Sequence, residues 1–225
     1  MTPDSFWTPV VLSLEVAAIS TAMCVVMGGA VAYAMSRRSF PGYALLDGVF
    51  NLPLVLPPLV TGYFLLIVFG ASGPLGRLLE SVGIRFPFTL GAAVLAAFVV
   101  SFPLFYRAAK LAFENVDREL EGVAATLGAA PWDRFRTITL PLASGGIATG
   151  ALLAFARSLG EFGATIVFAA NIPGRTQTIP LAIYNALNIP GGESQAIPLV
   201  VVATALSFAA MLASLRWSRR NGGEA

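Results

Sequence analysis

"VAAISTAMCVVMGGAVAYAMS", residues 16–36, runs for 21 residues without a charged side chain. An apolar helix needs about 20 residues to cross the hydrocarbon core of a bilayer, so this stretch reads as a membrane span. Four more uncharged runs of that order follow, at 48–76, 86–106, 137–156 and 194–215. Composition points the same way: 56% of the 225 residues are hydrophobic and 12% charged, against about 25% charged in soluble domains. The expectation is an all-α integral membrane protein, one transmembrane domain over residues 1–225. Its five spanning helices fall at about 10–36, 46–70, 86–107, 139–169 and 195–216, with loops at 108–138 and 171–194.

The N-terminal "MTPDSFWTP" lacks a basic segment, and the apolar run after it is too long for a signal-peptide core. The first helix therefore reads as retained. Basic residues set the orientation, since loops on the cytoplasmic side carry the excess of Lys and Arg. Arg37, Arg38, Arg107, Lys110, Arg118, Arg134, Arg136, Arg216, Arg219 and Arg220 fall on one side, and Arg77, Arg85 and Arg175 on the other. That asymmetry places the N-terminus outside and the C-terminus in the cytoplasm. It also accounts for the net charge of +2, so nothing calls for nucleic acid. With one cysteine, Cys24, and no histidine, neither an internal disulfide nor the usual metal-site spacings can be assembled.

Three polar or helix-breaking features interrupt the apolar pattern. In "NLPLVLPPLVTG", residues 51–62, Pro53, Pro57 and Pro58 remove backbone donors and clash with the preceding turn, so the second span must kink or break. Unwound backbone inside a bilayer is tolerated only where protein or a water-filled cavity satisfies it. Asn51, Pro53, Pro57 and Thr61 then line a path, or else the segment is a kinked packing helix. Ser101, beside Pro103 in the third span, is a weaker candidate of the same kind.

In "LLAFARSLGEFGATIVF", residues 152–168, Arg157 and Glu161 stand four apart and share a helix face. Ionisable groups at membrane depth cost about 3 kcal/mol or more and turn toward a bundle interior or an aqueous cavity. With Ser158 and Thr165 beside them they either line the route of a hydrophilic solute, Arg157 attracting an anion, or lock the helix to a neighbour. Between the fourth and fifth spans, residues 179–187 suit a short helix on the outer surface, bounded by Pro173, Gly174, Pro190 and Gly191. It is either a seat for an external partner or a plain cap on the bundle.

The most polar ordered segment is "ELEGVAATLGAAPWDRFRTITLPLA", residues 119–143, in the cytoplasmic loop. Asp117 suits an N-cap, Glu119 and Glu121 sit in a first turn where the helix dipole favours anions, and Gly128 supplies a stop. Val116, Leu120, Val123 and Leu127 recur at helical spacing and make an apolar stripe. A second helix begins near Pro131, which suits a first helical turn, and runs through Trp132 and Phe135 toward the fourth span. Such a helix pair lies in the lipid headgroups or docks into a groove on a partner protein.

Gly128, nine residues, Ile138, one residue, then Leu140-Pro141 resembles the cytoplasmic EAA loop of permease subunits of binding-protein-dependent ABC importers of type I. "SFPGYALLDGVFNLPLVLPPLVTGYFLL", "TLGAAPWDRFRTITLPLASGGI" and the stretch from "LLAFARSLGEFGA" through "PGGES" look like the molybdate permeases in particular. Sulfate permeases share "LGEFGA" and the proline-rich second span, and are the runner-up. The resemblance implies a bacterial inner-membrane protein that imports molybdate, with tungstate as companion, by alternating access. Two copies would form the pore, two cytoplasmic ATPase subunits carrying ATP and Mg would bind beneath it, and an external molybdate-binding protein would deliver the anion. The coupling residues it implies are Glu121, Val123, Ala124, Gly128, Pro131, Trp132, Ile138, Leu140 and Pro141.

The sequence departs from the motif at the loop's start. The motif's Glu-Ala-Ala positions hold Gly122, Val123 and Ala124, so a salt bridge to an ATPase falls to Glu121, about 100° away around the helix. The chain itself reads as a non-enzyme with no cofactor of its own. Its one lysine, Lys110, lies in "RAAKLAF", outside any Gly-Lys-Ser/Thr phosphate loop. An ion-coupled secondary transporter typically needs more helices, often as inverted repeats, and no convincing repeat is seen. An intramembrane enzyme would need a nucleophile with an evident base.

Overall fold

The computed structural model describes residues 3–38 and 40–221. These residues form twelve α-helices and two short π-helical turns, with no strand among them. The first span is α1 (Pro3–Met23), a π turn at Cys24–Gly28, and α2 (Gly29–Arg37). The proline-rich run makes α3 (Tyr43–Val55) and α4 (Pro58–Phe69), whose axes diverge by 117°. After α5 (Pro74–Ser81) comes the long α6 (Leu90–Glu114), N-capped by Thr89, whose side chain accepts from the Ala92 amide.

The helix pair α7 (Arg118–Thr126) and α8 (Pro131–Arg134) leads through a π turn at Phe135–Thr139 into α9 (Leu140–Leu159). The short α10 (Gly163–Phe168) and α11 (Ile179–Leu187) precede α12 (Glu193–Asn221). Among the described residues, four helical stretches are long and apolar enough to cross a bilayer, and a fifth span results if α3 and α4 are taken together. The all-helical class expected from hydropathy is the one observed.

Two of the expected spans are interrupted. The stretch 46–70 is broken at Leu56-Pro57, where Pro57 and Pro58 supply no amide hydrogens, so the helix cannot run through. The stretch 139–169 stops at Leu159 and restarts at Gly163. The first and last spans run past their expected limits at both ends, whereas the third begins at Leu90, inside the expected start at 86, and runs on to Glu114, because hydropathy marks where charge begins and not where the helix ends. The 179–187 helix lies where the sequence placed it, its Ile179 amide donating to Ser13 Oγ on α1 at 2.7 Å.

Helix α6 is the centre of the bundle. Ala92, Ala93, Ala96, Ala97 and Ala109 are fully buried along it, and such small side chains let helix backbones approach closely in lipid. One core cluster gathers Val16, Ala96, Val100 and Phe168, with Leu65 and Phe69 against it; another gathers Cys24, Met35, Phe105, Phe113 and Ala154. A third seats α11 on α1 and α12 through Val10, Ile179, Ala182 and Leu199.

Long-range contacts sort the bundle into two ends. Arg37 meets Glu121, and Lys110 meets Asp47, so the end of α2, the start of α3, the end of α6 and α7 share one end. At the other, the Phe88 amide donates to the Phe168 carbonyl. That pairing agrees with the alternation of basic and non-basic loops in the sequence. The side chains of Arg219 and Arg220 lie outside the described residues.

Candidate functional site

Two regions concentrate the polar and irregular features. In the first, the two broken helices cross. A β-carbon on Gly62 of α4 would lie 2.6 Å from the Ala164 carbonyl oxygen of α10, and one on Gly163 would lie 2.8 Å from Pro58 Cβ. Backbone therefore packs on backbone, and at Gly62 only a residue without a side chain permits it.

Glu161 stands in the break between α9 and α10 and is 3% exposed. Its Oε1 accepts from the Ala164 amide at 2.8 Å, satisfying one orphan donor at the α10 start, and its Oε2 lies 2.8 Å from Arg157 Nη2. The buried carboxylate is thus hydrogen-bonded through Oε1 to a helix start and balanced in charge at Oε2 by a partly exposed arginine, whose approach does not make a hydrogen bond. Ser158 accepts a hydrogen bond from Ser20 of α1 at 3.0 Å, while Thr165 is buried on α10. Thr61 is buried on α4, and its hydroxyl has no hydrogen-bond partner among the described residues.

The other path candidates lie elsewhere. Ser101 is buried in α6, donating to the Ala97 carbonyl at 2.7 Å and lying 3.6 Å from Cys24 Sγ. Asn51 donates to the Asp47 carbonyl of its own helix at 2.7 Å, and Pro53 lies within the same helix, α3. Asp47 is the centre of a group that sequence reading missed. Its Oδ1 accepts from Tyr106 at 2.6 Å and from Lys110 at 2.7 Å, and the Lys110 ammonium lies 5.0 Å from the Tyr43 ring centre. The signal available was Asp47 itself, a lone carboxylate at the edge of a long uncharged run.

The second region is α7 and α8. The Asp117 side chain accepts from the Glu119 amide at 2.8 Å, capping α7, and Pro131 begins α8. Between them Gly128 has φ of +85°, a left-handed conformation that glycine adopts without strain. None of the nine residues of α7 is buried. Leu120, Val123, Leu127 and Trp132 are 48%, 60%, 82% and 67% exposed, whereas Val116, the first member of the stripe, is buried in the core below α7.

Ala124 on α7 is half-buried, Ile138 lies in the π turn, Leu140 opens α9, and Pro141 sits in its first turn. Glu121, offered by the sequence as a salt-bridge partner for an ATPase, is turned toward the bundle. It accepts from Arg37 Nη2 at 2.6 Å and from the Thr139 hydroxyl.

The chain belongs to the binding-protein-dependent transport system inner membrane component family, matched over residues 25–221. It is therefore a multi-pass inner-membrane component of a transport system. It is 51% identical over 224 residues to the molybdenum transport system permease protein ModB of Escherichia coli (strain K12), covering 98% of both chains. A probable sulfate transport system permease protein, cysT of Chlorokybus atmophyticus, is 35% identical over 191 residues, covering 81% of this chain and 67% of that one. Among solved structures, the inward-facing MetNI methionine ABC transporter matches with a TM-score of 0.71 at 17% identity, over 98% of this chain and 99% of that chain.

Proposed function

We propose that the chain is the membrane permease of an ATP-driven importer that carries molybdate, with tungstate as a near-identical companion, into the cytoplasm by alternating access. One observation carries the coupling half of that reading: the α7–α8 pair, with α7 capped by Asp117, exposes Leu120, Val123, Leu127 and Trp132 at the basic end of the bundle. An amphipathic helix whose large apolar side chains stand mostly uncovered by its own chain suits a groove on a partner. The partner is a cytoplasmic ATPase, two copies of which bind two copies of this chain and hold the ATP and Mg. Gly128, Pro131 and Trp132 shape the docking surface with Val123 and Ala124. Ile138, Leu140 and Pro141 connect it to α9.

An external molybdate-binding protein delivers the anion, and the pore lies between the two permease copies. Its route passes the crossing of the broken helices, where Thr61 and Thr165 offer hydroxyls and the partly exposed Arg157 offers positive potential, tempered by Glu161. The prolines Pro53 and Pro57 set the shape of that crossing, and Asn51 lies along the same helix toward the basic end. Ser158 and Ser101 hold the helices together behind it. Cargo follows the 51% likeness to a molybdenum permease over the 35% likeness to a sulfate one.

The test is affinity purification from the native membrane, followed by calorimetric titration of the co-purifying binding protein. An ATPase subunit and a protein that binds molybdate tightly are expected. Tight sulfate binding with none for molybdate would assign the sulfate reading instead. Uptake driven by an ion gradient without any ATPase would defeat both.

A further inference from the structure

The docking helix is fastened to the bundle by charge, and Glu121 is the fastener. Arg37, the last residue of α2, places Nη2 at 2.6 Å from Glu121 Oε1, both side chains mostly shielded at 14% and 19% exposure. The same oxygen accepts from Thr139, fully buried at the end of the π turn before α9. Next to them Arg118, the first residue of α7, donates to the Ser36 carbonyl of α2 at 3.1 Å, one of the carbonyls a helix end leaves unsatisfied. One carboxylate on α7 therefore holds α2 and the entry to α9 together, through partners 84 residues before it and 18 after it.

Little else holds α7 down, since none of its residues is buried. Beside this junction Tyr33, Phe113, Trp132 and Phe135 line an apolar cavity of about 570 Å³ between α2 and the α8–α9 segment. The aromatic rings meet across it edge to face, Tyr33 to Phe135 at 4.9 Å between centres. No residue of α7 lines that cavity, so the ties of α7 to the two spans are the polar contacts of Glu121 and Arg118.

Resting on the ATPase-driven reading above, we propose that Glu121 is a positioning residue that transmits movement of the α7–α8 pair to α2 and α9 through Arg37 and Thr139, and makes no contact with the ATPase itself. The π turn at Phe135–Thr139 places a register irregularity where a shift would be absorbed, as such turns do at functional sites.

The test uses the assembled transporter in liposomes with its binding protein, measuring ATPase co-purification, ATP hydrolysis and anion uptake for each variant. Glu121→Gln and Arg37→Gln are expected to assemble normally and hydrolyse ATP, while anion moved per ATP falls about tenfold, within the usual range of allosteric coupling. The exchanged pair Arg37→Glu with Glu121→Arg is expected to recover much of that loss, which a mutation acting only by damaging the fold would not do. Thr139→Val gives a smaller loss.

Uptake per ATP unchanged in both single variants would overturn the proposal. So would loss of the ATPase from Glu121→Gln but not from Arg37→Gln, with no recovery in the exchanged pair, since that marks a direct contact. Failure of the unmutated chain to recruit an ATPase would instead remove the importer reading, and this proposal with it.

Discussion

The crossing of the broken helices and the α7–α8 pair solve opposite problems. At the crossing, Gly62 meets the Ala164 backbone and Gly163 meets Pro58, and the one charged pair is compensated by a helix start as well as by its counter-ion. In the α7–α8 pair, large apolar side chains stand uncovered and a few polar contacts tie the module to the bundle. The first region tolerates almost no added volume. The second tolerates it and, on the proposed reading, is covered by another protein. A pore element and a handle moved by a partner would need these two kinds of construction.

Substitutions that separate the two regions sharpen the contrast. The largest effect belongs to Gly128→Pro. A ring that fixes φ near −65° cannot adopt +85°, so the turn between α7 and α8 is lost. Co-purification of the ATPase should disappear while membrane insertion and thermal unfolding of the bundle stay as in the unmutated chain. Normal co-purification would mean that the pair is not the handle.

Next comes Gly62→Val, which forces side-chain atoms into the Ala164 backbone. Overpacking of this kind should cost about 3 kcal/mol, read as a lower unfolding midpoint in detergent. An unchanged midpoint would show that the crossing is looser than its geometry. Glu161→Ala removes both the donor satisfaction at α10 and the counter-ion of Arg157, for a loss of about 2 kcal/mol by the same measurement. If Glu161→Gln, which keeps an acceptor for the Ala164 amide, loses as much, the charge matters more than the cap.

The smallest effect is expected from Leu127→Ser on the exposed stripe. Stability should change by less than about 0.5 kcal/mol, while ATPase association weakens about tenfold if the side chain fills a partner pocket. A stability loss without an association loss would assign the stripe to this chain's own fold.

How far each region could be read in the sequence follows from how local its cause is. The spans are legible because lipid imposes one requirement on every residue of a run, and the Pro57-Pro58 break because proline acts on its own helix. The cap at Asp117, the turn at Gly128 and the start at Pro131 are likewise set by neighbours a few positions away. The second break was visible as charges and glycines in an apolar run. What packs against it was not, since Gly163 meets Pro58, a residue far away in the chain.

Glu121 shows the same limit. Its position on α7 was legible, but its inward turn depends on Arg37, which the sequence offered only as a topology signal. The Asp47, Tyr106 and Lys110 group was missed because its members sit on two spans with no shared local pattern.

The most direct measurement is uptake of labelled molybdate into liposomes that hold the purified chain, its co-purifying ATPase and the external binding protein. The account predicts uptake that requires ATP and all three components, and that Gly128→Pro abolishes. Molybdate uptake that proceeds without the ATPase, or that survives Gly128→Pro unchanged, would contradict it.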